Sequence, residues 1–503
     1  MKKIIQIWFM AVLLMGGLAG CYDDKGNYDY KDINTVRFVM QPESETGLYR
    51  FKVGTTEFDT VFAPVVTQDL LEGEDNLEYL WVVSYNEDGE RVVDSVTTKE
   101  LRLSFPAQKT HAYLVNFRLT DVTTNVSSYA ELSVRTINPY VDSWMVLNGE
   151  AGQRRISAIE DPDSLRYVYT ENAWTNMGNE PRFQDAIGLI YAPVVLKNNA
   201  APECLYVITP DSLLALNPFA MQVLGTNKEY LPEKVLNDKR ELSYGLDGGP
   251  QGGTVLLVDK DYNCYFTTFN KEGVFNEPDL DRVKGCRASK LATSSESRTV
   301  CIWDNEQKKF LYFSIDEAKV NEVKDSENDW TDKEVVWMGL DNVLTEGDDN
   351  KYRVALVLVK DKAGDYWTYH FDAKGNRFTR DFIGELSIDA TTQFATSQAF
   401  ENQFFYTVGS KLYLYNVAGQ KAEELYDAGA PITQLKFRIN EKSGMPEKNY
   451  FMRYLGMVVD KGAEGELHEV VLSTAGDVED IHKFSGFGPI QDICFTFINR
   501  NLQ

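Results

Sequence analysis

Seven short β-branched or aromatic runs between Thr35 and Ile137, then seven hydrophobic strand pairs at near-even spacing from Trp144 onward, predict an all-β chain. The expected architecture is a two-sheet sandwich of the immunoglobulin type followed by a β-propeller of about seven blades. A hydrophobic share of 43% over 503 residues is ample for two packed cores. The chain carries 76 acids against 51 bases, a net charge of −25, which repels phosphate backbones and argues against nucleic acid as a partner.

The amino end has a different character. Lys2 and Lys3 precede a run from Ile4 to Gly20 that is apolar apart from Gln6. A spanning helix needs about 20 apolar residues, so this run sits at the short limit. Its length and charge placement suit a secretory signal. Leu18-Ala19-Gly20-Cys21 then matches the bacterial lipobox at all four positions. Small residues there let a peptidase grip an extended backbone. The Cys21 thiol can carry a diacylglycerol, and the freed amine a further acyl chain such as palmitate. Two or more chains anchor durably where one holds only marginally. Residues 1–20 are therefore expected to be a signal peptide and Cys21 the lipidation site. Residues 21–34, acidic and without apolar periodicity, are expected to form a solvated tether.

The stretch after Cys21, "YDDKGNYDYKDIN", resembles the mature start of the PKD-like family lipoproteins of Bacteroidota. That resemblance implies an outer-membrane lipoprotein facing the cell exterior, because acids behind the lipid-bearing cysteine resemble the export signal of that phylum. It also implies work beside outer-membrane uptake proteins.

Residues 35–137 carry the first domain. "TVRFVM", "YRFKV", "LEYLWVVSY", "ERVVDSV", "LRLSF", "AYLVNFRLTD" and "YAELSVRTI" are strand-like runs parted by turn signals such as "NEDGE" and "DVTTN". Two pieces resemble the PKD version of the sandwich: "YLWVVSYNEDG" (79–89), its buried-tryptophan strand, and "HAYLVNFRLTD" (111–121), its penultimate strand. Trp81 is then expected in the core. The family's acidic "GDG" turn is replaced by Asn86-Glu87-Asp88-Gly89. "INPYVDS" interrupts the pattern with a proline, so residues 138–143 read as a linker.

Residues 144–503 repeat faintly. Strand pairs begin near Trp144, Leu205, Val255, Val300, Val354, Phe404 and Phe451, at spacings of 61, 50, 45, 54, 50 and 47. Each has a β run, a short polar turn, a second β run and an irregular stretch. Propeller blades repeat at about 40–50 residues. A lone hairpin keeps one face wet, whereas radial stacking buries both faces of every sheet. Two further sandwiches are the rival reading, but they need no common period. Six or eight blades remain alternatives to seven.

Chemical motifs fail one by one. His468-Glu469-Val470-Val471 begins the H-E-x-x-H of a zinc protease, but Leu472 stands at the second histidine, and strand alternation throws Glu469 to the face opposite His468. Asp259, Asp261 and Asn263 imitate an EF-hand, yet the sixth position lacks glycine and the twelfth is Asn270, so a hairpin turn explains them better. "GLDGGPQGG" (245–253) leads into a strand rather than a helix, which suits an inter-blade loop better than a phosphate cradle. Trp303-Asp304 occurs once and reads as chance. No G-x-S-x-G elbow occurs, and only His111, His370, His468 and His482 are available as imidazole bases. Cys204, Cys264, Cys286, Cys301 and Cys494 form no C-x-x-C and read as buried thiols. No catalytic residue, metal site or cofactor is indicated.

Two tryptophans stand in polar, irregular contexts: Trp174 in "TENAWTNMGNEPRF" and Trp330 in "KDSENDWTDKEV". An exposed indole there would stack on a sugar or anchor a peptide; a ring folded back onto its loop base is the competing reading. The expectation is a lipid-anchored surface protein that binds a glycan or peptide ligand. The alternatives are a propeller enzyme (lyase, glycosidase or peptidase) acting on an extracellular polymer, and a structural spacer.

Overall fold

The computed structural model describes residues 33–44, 46–52, 57–87, 89–106, 111–137, 140, 142–160, 167–173, 184–192, 204–218, 221, 223–225, 242–247, 255–267, 275–276, 288–296, 299–314, 319–323, 330–344, 351–371, 378–438 and 451–497. The chain divides into a first unit, Met1–Phe51 with Glu57–Thr136, and a second, Ile137–Gln503 together with the short stretch Lys52–Thr56.

The first unit holds β1 (Val36–Gln41), β2 (Leu48–Lys52), β3 (Phe58–Gln68), β4 (Leu77–Glu87), β5 (Glu90–Val96), β6 (Leu101–Phe105), β7 (Ala112–Asp121) and β8 (Val126–Ile137). They form a three-stranded sheet, β1-β3-β6, and a five-stranded sheet, β2-β8-β7-β4-β5. Strict alternation in β6 and β7 turns one face of each sheet inward. Trp81 is fully buried, its indole donating to the Thr98 carbonyl at 2.9 Å and its ring 4.2 Å from Phe117. One strand has no counterpart in the sequence reading. β3 contains Pro64, which argues against a strand on composition. Phe58–Phe62 pairs with β6 and Ala63–Gln68 with β1, so the proline sits where only one neighbour is present. At one end a polar network closes the unit. Asp121 accepts from Thr123, Asn76 and Asn34, which hold its carboxyl well below the usual range despite burial.

The second unit opens with β9 (Ser143–Asn148), β10 (Arg155–Glu160) and β11 (Val168–Thr170). Next come β12 (Gly188–Ala192), β13 (Cys204–Ile208), β14 (Leu213–Leu216) and β15 (Val223–Gly225), then β16 (Leu242–Asp247), β17 (Val255–Asp259), β18 (Cys264–Thr267) and β19 (Phe275–Asn276). A fourth group is β20 (Ala288–Glu296), β21 (Thr299–Asp304), β22 (Lys309–Ser314) and β23 (Lys319–Glu322), and a fifth is β24 (Glu334–Leu344), β25 (Lys351–Lys360), β26 (Tyr366–Phe371) and β27 (Phe378–Gly384). The chain ends with β28 (Phe394–Ala395), β29 (Gln403–Val408), β30 (Lys411–Asn416) and β31 (Lys421–Asp427), then β32 (Ile432–Phe437), β33 (Tyr454–Asp460), β34 (Gly465–Leu472) and β35 (Val478–Phe487), and last β36 (Ile490–Thr496). Six groups are consecutive four-stranded meanders, and β36 crosses back to complete the first sheet in the order β11-β10-β9-β36. The first strands of successive sheets lie beside one another, from β36 through β12, β16 and β20 to β24, and from β28 through β32 back to β36. This is a propeller, with seven four-stranded sheets among the described residues. The strand pairs read from the sequence are the central hairpins of those sheets.

Four of those hairpins share a turn device. The carboxylate of Asp259 accepts from the backbone of Asp261 and Asn263, and Asp304 does the same for Glu306 and Gln307. Asp361 serves Ala363 and Asp365, and Asp460 serves Gly462. The calcium-like spacing at Asp259 is therefore a turn in which the acid satisfies backbone donors. Two readings need correction. Gly245–Asp247 belong to β16 and lead through 248–254 to β17, so the glycine-rich stretch joins two strands of one sheet rather than two blades; residues 248–254 lie outside the described set. Within the expected linker, Tyr140 is 5% exposed and part of the propeller core, with its hydroxyl donating to the Ala173 carbonyl. Cys204, Cys264, Cys301 and Cys494 are buried and form no disulfide; burial pushes the Cys204 thiol up to about 12.

Candidate functional site

Strand alternation along β34 gives Glu466 and His468 one face and Glu469 the other. His468 is buried between the Tyr426 hydroxyl, 3.1 Å from Nδ1, and the Glu466 carboxylate, 2.8 Å from Nε2. Burial lowers its pKa, and Glu466 offsets this only in part. The two halves of the H-E pair thus face away from each other, and the zinc reading ends there. Among the described residues, no group of three or more His, Cys, Asp or Glu side chains is placed to hold a metal ion.

Glu469 points to the seam where the last sheet meets the first, and it is the hub of a buried polar cluster. Its Oε1 accepts from the Trp144 indole at 2.6 Å and from Arg438 Nε at 2.5 Å. Its Oε2 accepts from Arg438 Nη2 at 2.8 Å and from the Tyr167 hydroxyl at 2.7 Å. Arg438 and Glu469 have no exposed side-chain surface. The guanidinium lies 4.3 to 5.0 Å from the rings of Tyr454, Phe495 and Phe451. Burial alone would raise the Glu469 pKa. The Arg438 charge, with hydrogen bonds from His482, Arg438 and Trp144, outweighs it and holds the group at about 2. A carboxylate so fully engaged is a poor proton acceptor. The arrangement ties β9, β32, β34 and the approach to β11 together.

His482, on β35, is the solvent-facing edge of the cluster, with 29% of its side chain exposed. Its Nδ1 lies 2.8 Å from the Tyr167 oxygen and 3.4 Å from Glu469 Oε2, while Nε2 faces Asp480 Oδ2 at 3.1 Å. The hydrogen bond to Glu469 raises its pKa; partial burial opposes this, and the charges of Glu469 and Asp480 reinforce it. A second polar cluster joins the innermost strands. Asp492 on β36 accepts from Lys436 Nζ of β32 at 2.6 Å and from the Leu189 amide of β12 at 2.8 Å.

Of the residues singled out in the sequence, Trp330 is 6% exposed and packs against Trp303, Phe310 and Tyr369, with Lys333 Nζ 4.8 Å from its ring centroid. Its ring is core, so the stacking role expected of an exposed indole does not fit its position. The polar neighbours describe the loop backbone, not the side chain. Trp174 and Cys21 lie outside the described residues. Sequence reasoning overlooked Arg438, Tyr167 and Trp144. The available signal was a glutamate inside the apolar run "HEVVL", whose charge demands a buried partner.

No curated protein sequence matches the chain. Among solved structures, a quinonprotein alcohol dehydrogenase-like protein from Bacteroides thetaiotaomicron is similar at a TM-score of 0.41 and 12% identity, covering 89% of this chain and 96% of that one. Apo AztD from Citrobacter koseri gives 0.36 and 8%, over 84% and 98%. The WD40 domain of Toxoplasma gondii coronin gives 0.35 and 10%, over 78% and 80%. Residues 21–181 match the PKD-like family, a span that takes in the sandwich unit and the strands β9 to β11 of the first propeller sheet.

Proposed function

We propose that this protein is a lipid-anchored surface protein of the outer membrane. In this reading it binds a glycan or peptide ligand non-catalytically, beside outer-membrane uptake proteins. The observation that carries the reading is the amino-terminal sequence: two lysines, an apolar run and Leu18-Ala19-Gly20-Cys21. The PKD-like match beginning at residue 21, the cysteine itself, supports it.

Two measurements test the proposal. Metabolic labelling of the native host with a clickable fatty acid should tag the wild-type chain and leave Cys21→Ala untagged, and external protease should remove the tagged chain from intact cells. An untagged wild-type chain, or one resistant to external protease, ends the anchoring reading. Residues 22–503, made as a soluble chain, should bind members of a glycan or peptide array. Silence on the array together with turnover of an extracellular polymer would overturn the binding role.

A further inference from the structure

Four large apolar side chains stand exposed at one end of the sandwich unit: Ile33 at 67%, Leu70 at 53%, Val122 at 48% and Leu71 at 42%. They come from three segments, the entry to β1, the β3–β4 turn and the β7–β8 turn. One polar knot brings the three together. Asn34 donates to Gln68 at 2.7 Å and to Asp121 at 3.0 Å, and its side-chain oxygen accepts from the Leu70 amide at 3.2 Å. Asn76 donates to Asp121 at 3.0 Å, and its carbonyl accepts from the Val122 amide at 2.9 Å. Each apolar tip belongs to this knot or adjoins a member of it. A single exposed apolar residue needs no explanation, whereas several at one end mark an interaction site. The hydrogen-bonded base holds these tips in place before anything meets them, which lowers the ordering cost of contact.

The course of the chain says what the tips meet. Ile33 stands twelve positions after Cys21, a stretch that reaches no more than about 40 Å even when fully extended. In the lipid-anchor reading, on which this inference rests, this is the end of the sandwich that the chain holds nearest the bilayer. Charge narrows the class of lipid. Within the β3–β4 turn, Asp69 pairs with Arg37 at 3.1 Å and Glu74 with Lys99 at 2.6 Å, and Glu72 and Asp75 are the other acids. Zwitterionic headgroups accept such a turn, and an anionic surface repels it. We propose that Ile33, Leu70, Leu71 and Val122 form a membrane-facing edge that enters the headgroup region of a zwitterionic bilayer. The apolar surface buried there adds to the hold of the acyl chains and sets which end of the sandwich faces the lipid.

The test uses residues 22–503 with an amino-terminal hexahistidine tag, held on phosphatidylcholine vesicles that carry a nickel-chelating lipid. The chain is then tethered whether or not the native host acylates Cys21. Vesicles with brominated acyl chains should quench the fluorescence of Leu70→Trp more than that of wild type. Val93→Trp is the control, because Val93 is also exposed but pairs with Ser84, toward the other end of β4; it should show no excess quenching. Replacing part of the lipid with phosphatidylglycerol should reduce the excess at position 70. No excess at position 70, an equal excess at both positions, or a larger excess on phosphatidylglycerol would overturn the edge. So would self-association of the untagged chain in solution that Leu70→Ser with Leu71→Ser abolishes, since the patch would then belong to a second copy. The two readings fail separately: an unlabelled Cys21 ends acylation, and absent quenching ends the edge.

Discussion

Glu469 has no exposed side-chain surface, so its worth to the fold depends on Arg438, and Arg438 depends on it equally. Glu469→Gln keeps the shape and leaves the guanidinium buried among three aromatic rings without its counter-charge. Removing one partner of a buried pair costs about 3–5 kcal/mol. Urea denaturation should show a loss of that size, and a loss below about 1 kcal/mol would mean water reaches Arg438. Gly456 makes a steric prediction beside it. A Cβ there would sit 2.6 Å from the Trp144 ring, which is itself hydrogen-bonded to Glu469 and unable to swing away freely. Gly456→Ala should cost about 1–3 kcal/mol by overpacking and alter the Trp144 fluorescence, whereas an unchanged midpoint would show that the ring has slack. Of this cluster the sequence showed Glu469 and hid its partners. Arg438 stands 31 positions away, just past the end of β32, and nothing local in "QLKFR" says that the last residue is buried. Trp330 misled in the opposite direction, because neighbouring polarity governs where the loop runs and not where the ring turns.

At the scale of elements, legibility followed burial. The central hairpin of each propeller sheet packs against sheets on both sides, so its strands are apolar runs such as "CLYVI", in which every residue is buried. Outer strands such as β31, with four consecutive exposed residues, carry little hydrophobic signal and were not read. β3 was missed because a proline is a poor strand residue everywhere except where a neighbour is absent. The turns were legible for a reason that also makes them testable. Asp259 is 1% exposed, accepts from two backbone amides and takes the Tyr265 hydroxyl at 2.8 Å. Asp259→Ala removes the acceptor of the buried Tyr265 hydroxyl and of the turn amides of exposed Asp261 and half-buried Asn263, which water can take over, and a net hydrogen bond is worth about 0.5–1.5 kcal/mol. Asp259→Asn keeps the acceptor oxygen and should recover most of the loss. Equal damage from both variants would assign the effect to the negative charge rather than to the turn.

For the second unit as a whole, the decisive contact is the one farthest apart in sequence. β36 pairs with β9 along Ile490–Thr496, matched to Asn148–Ser143, and its neighbour β12 is held through Asp492. No local pattern announces that a carboxyl-terminal strand will finish the first sheet, and the ring is the part of the fold that sequence periodicity could only suggest. The pairing also decides how the family match should be understood. Residues 21–181 include β9 to β11 but not the strand that completes their sheet, so a fragment cut at 181 carries three strands with an open edge. A chain ending at Pro489 makes the same cut from the other side. It loses β36, exposes the edge of β9, whose six residues are otherwise all buried, and removes Phe495 from the wall around Arg438. An open, apolar edge is a template for pairing with other chains. The truncated protein should therefore self-associate on size exclusion and unfold over a broader range than wild type. A synthetic peptide of residues 490–497 should restore the monomer by filling the vacant place, while a scrambled peptide should not. A truncated chain that stays monomeric with an unchanged midpoint would show that the ring holds its form without the closing strand.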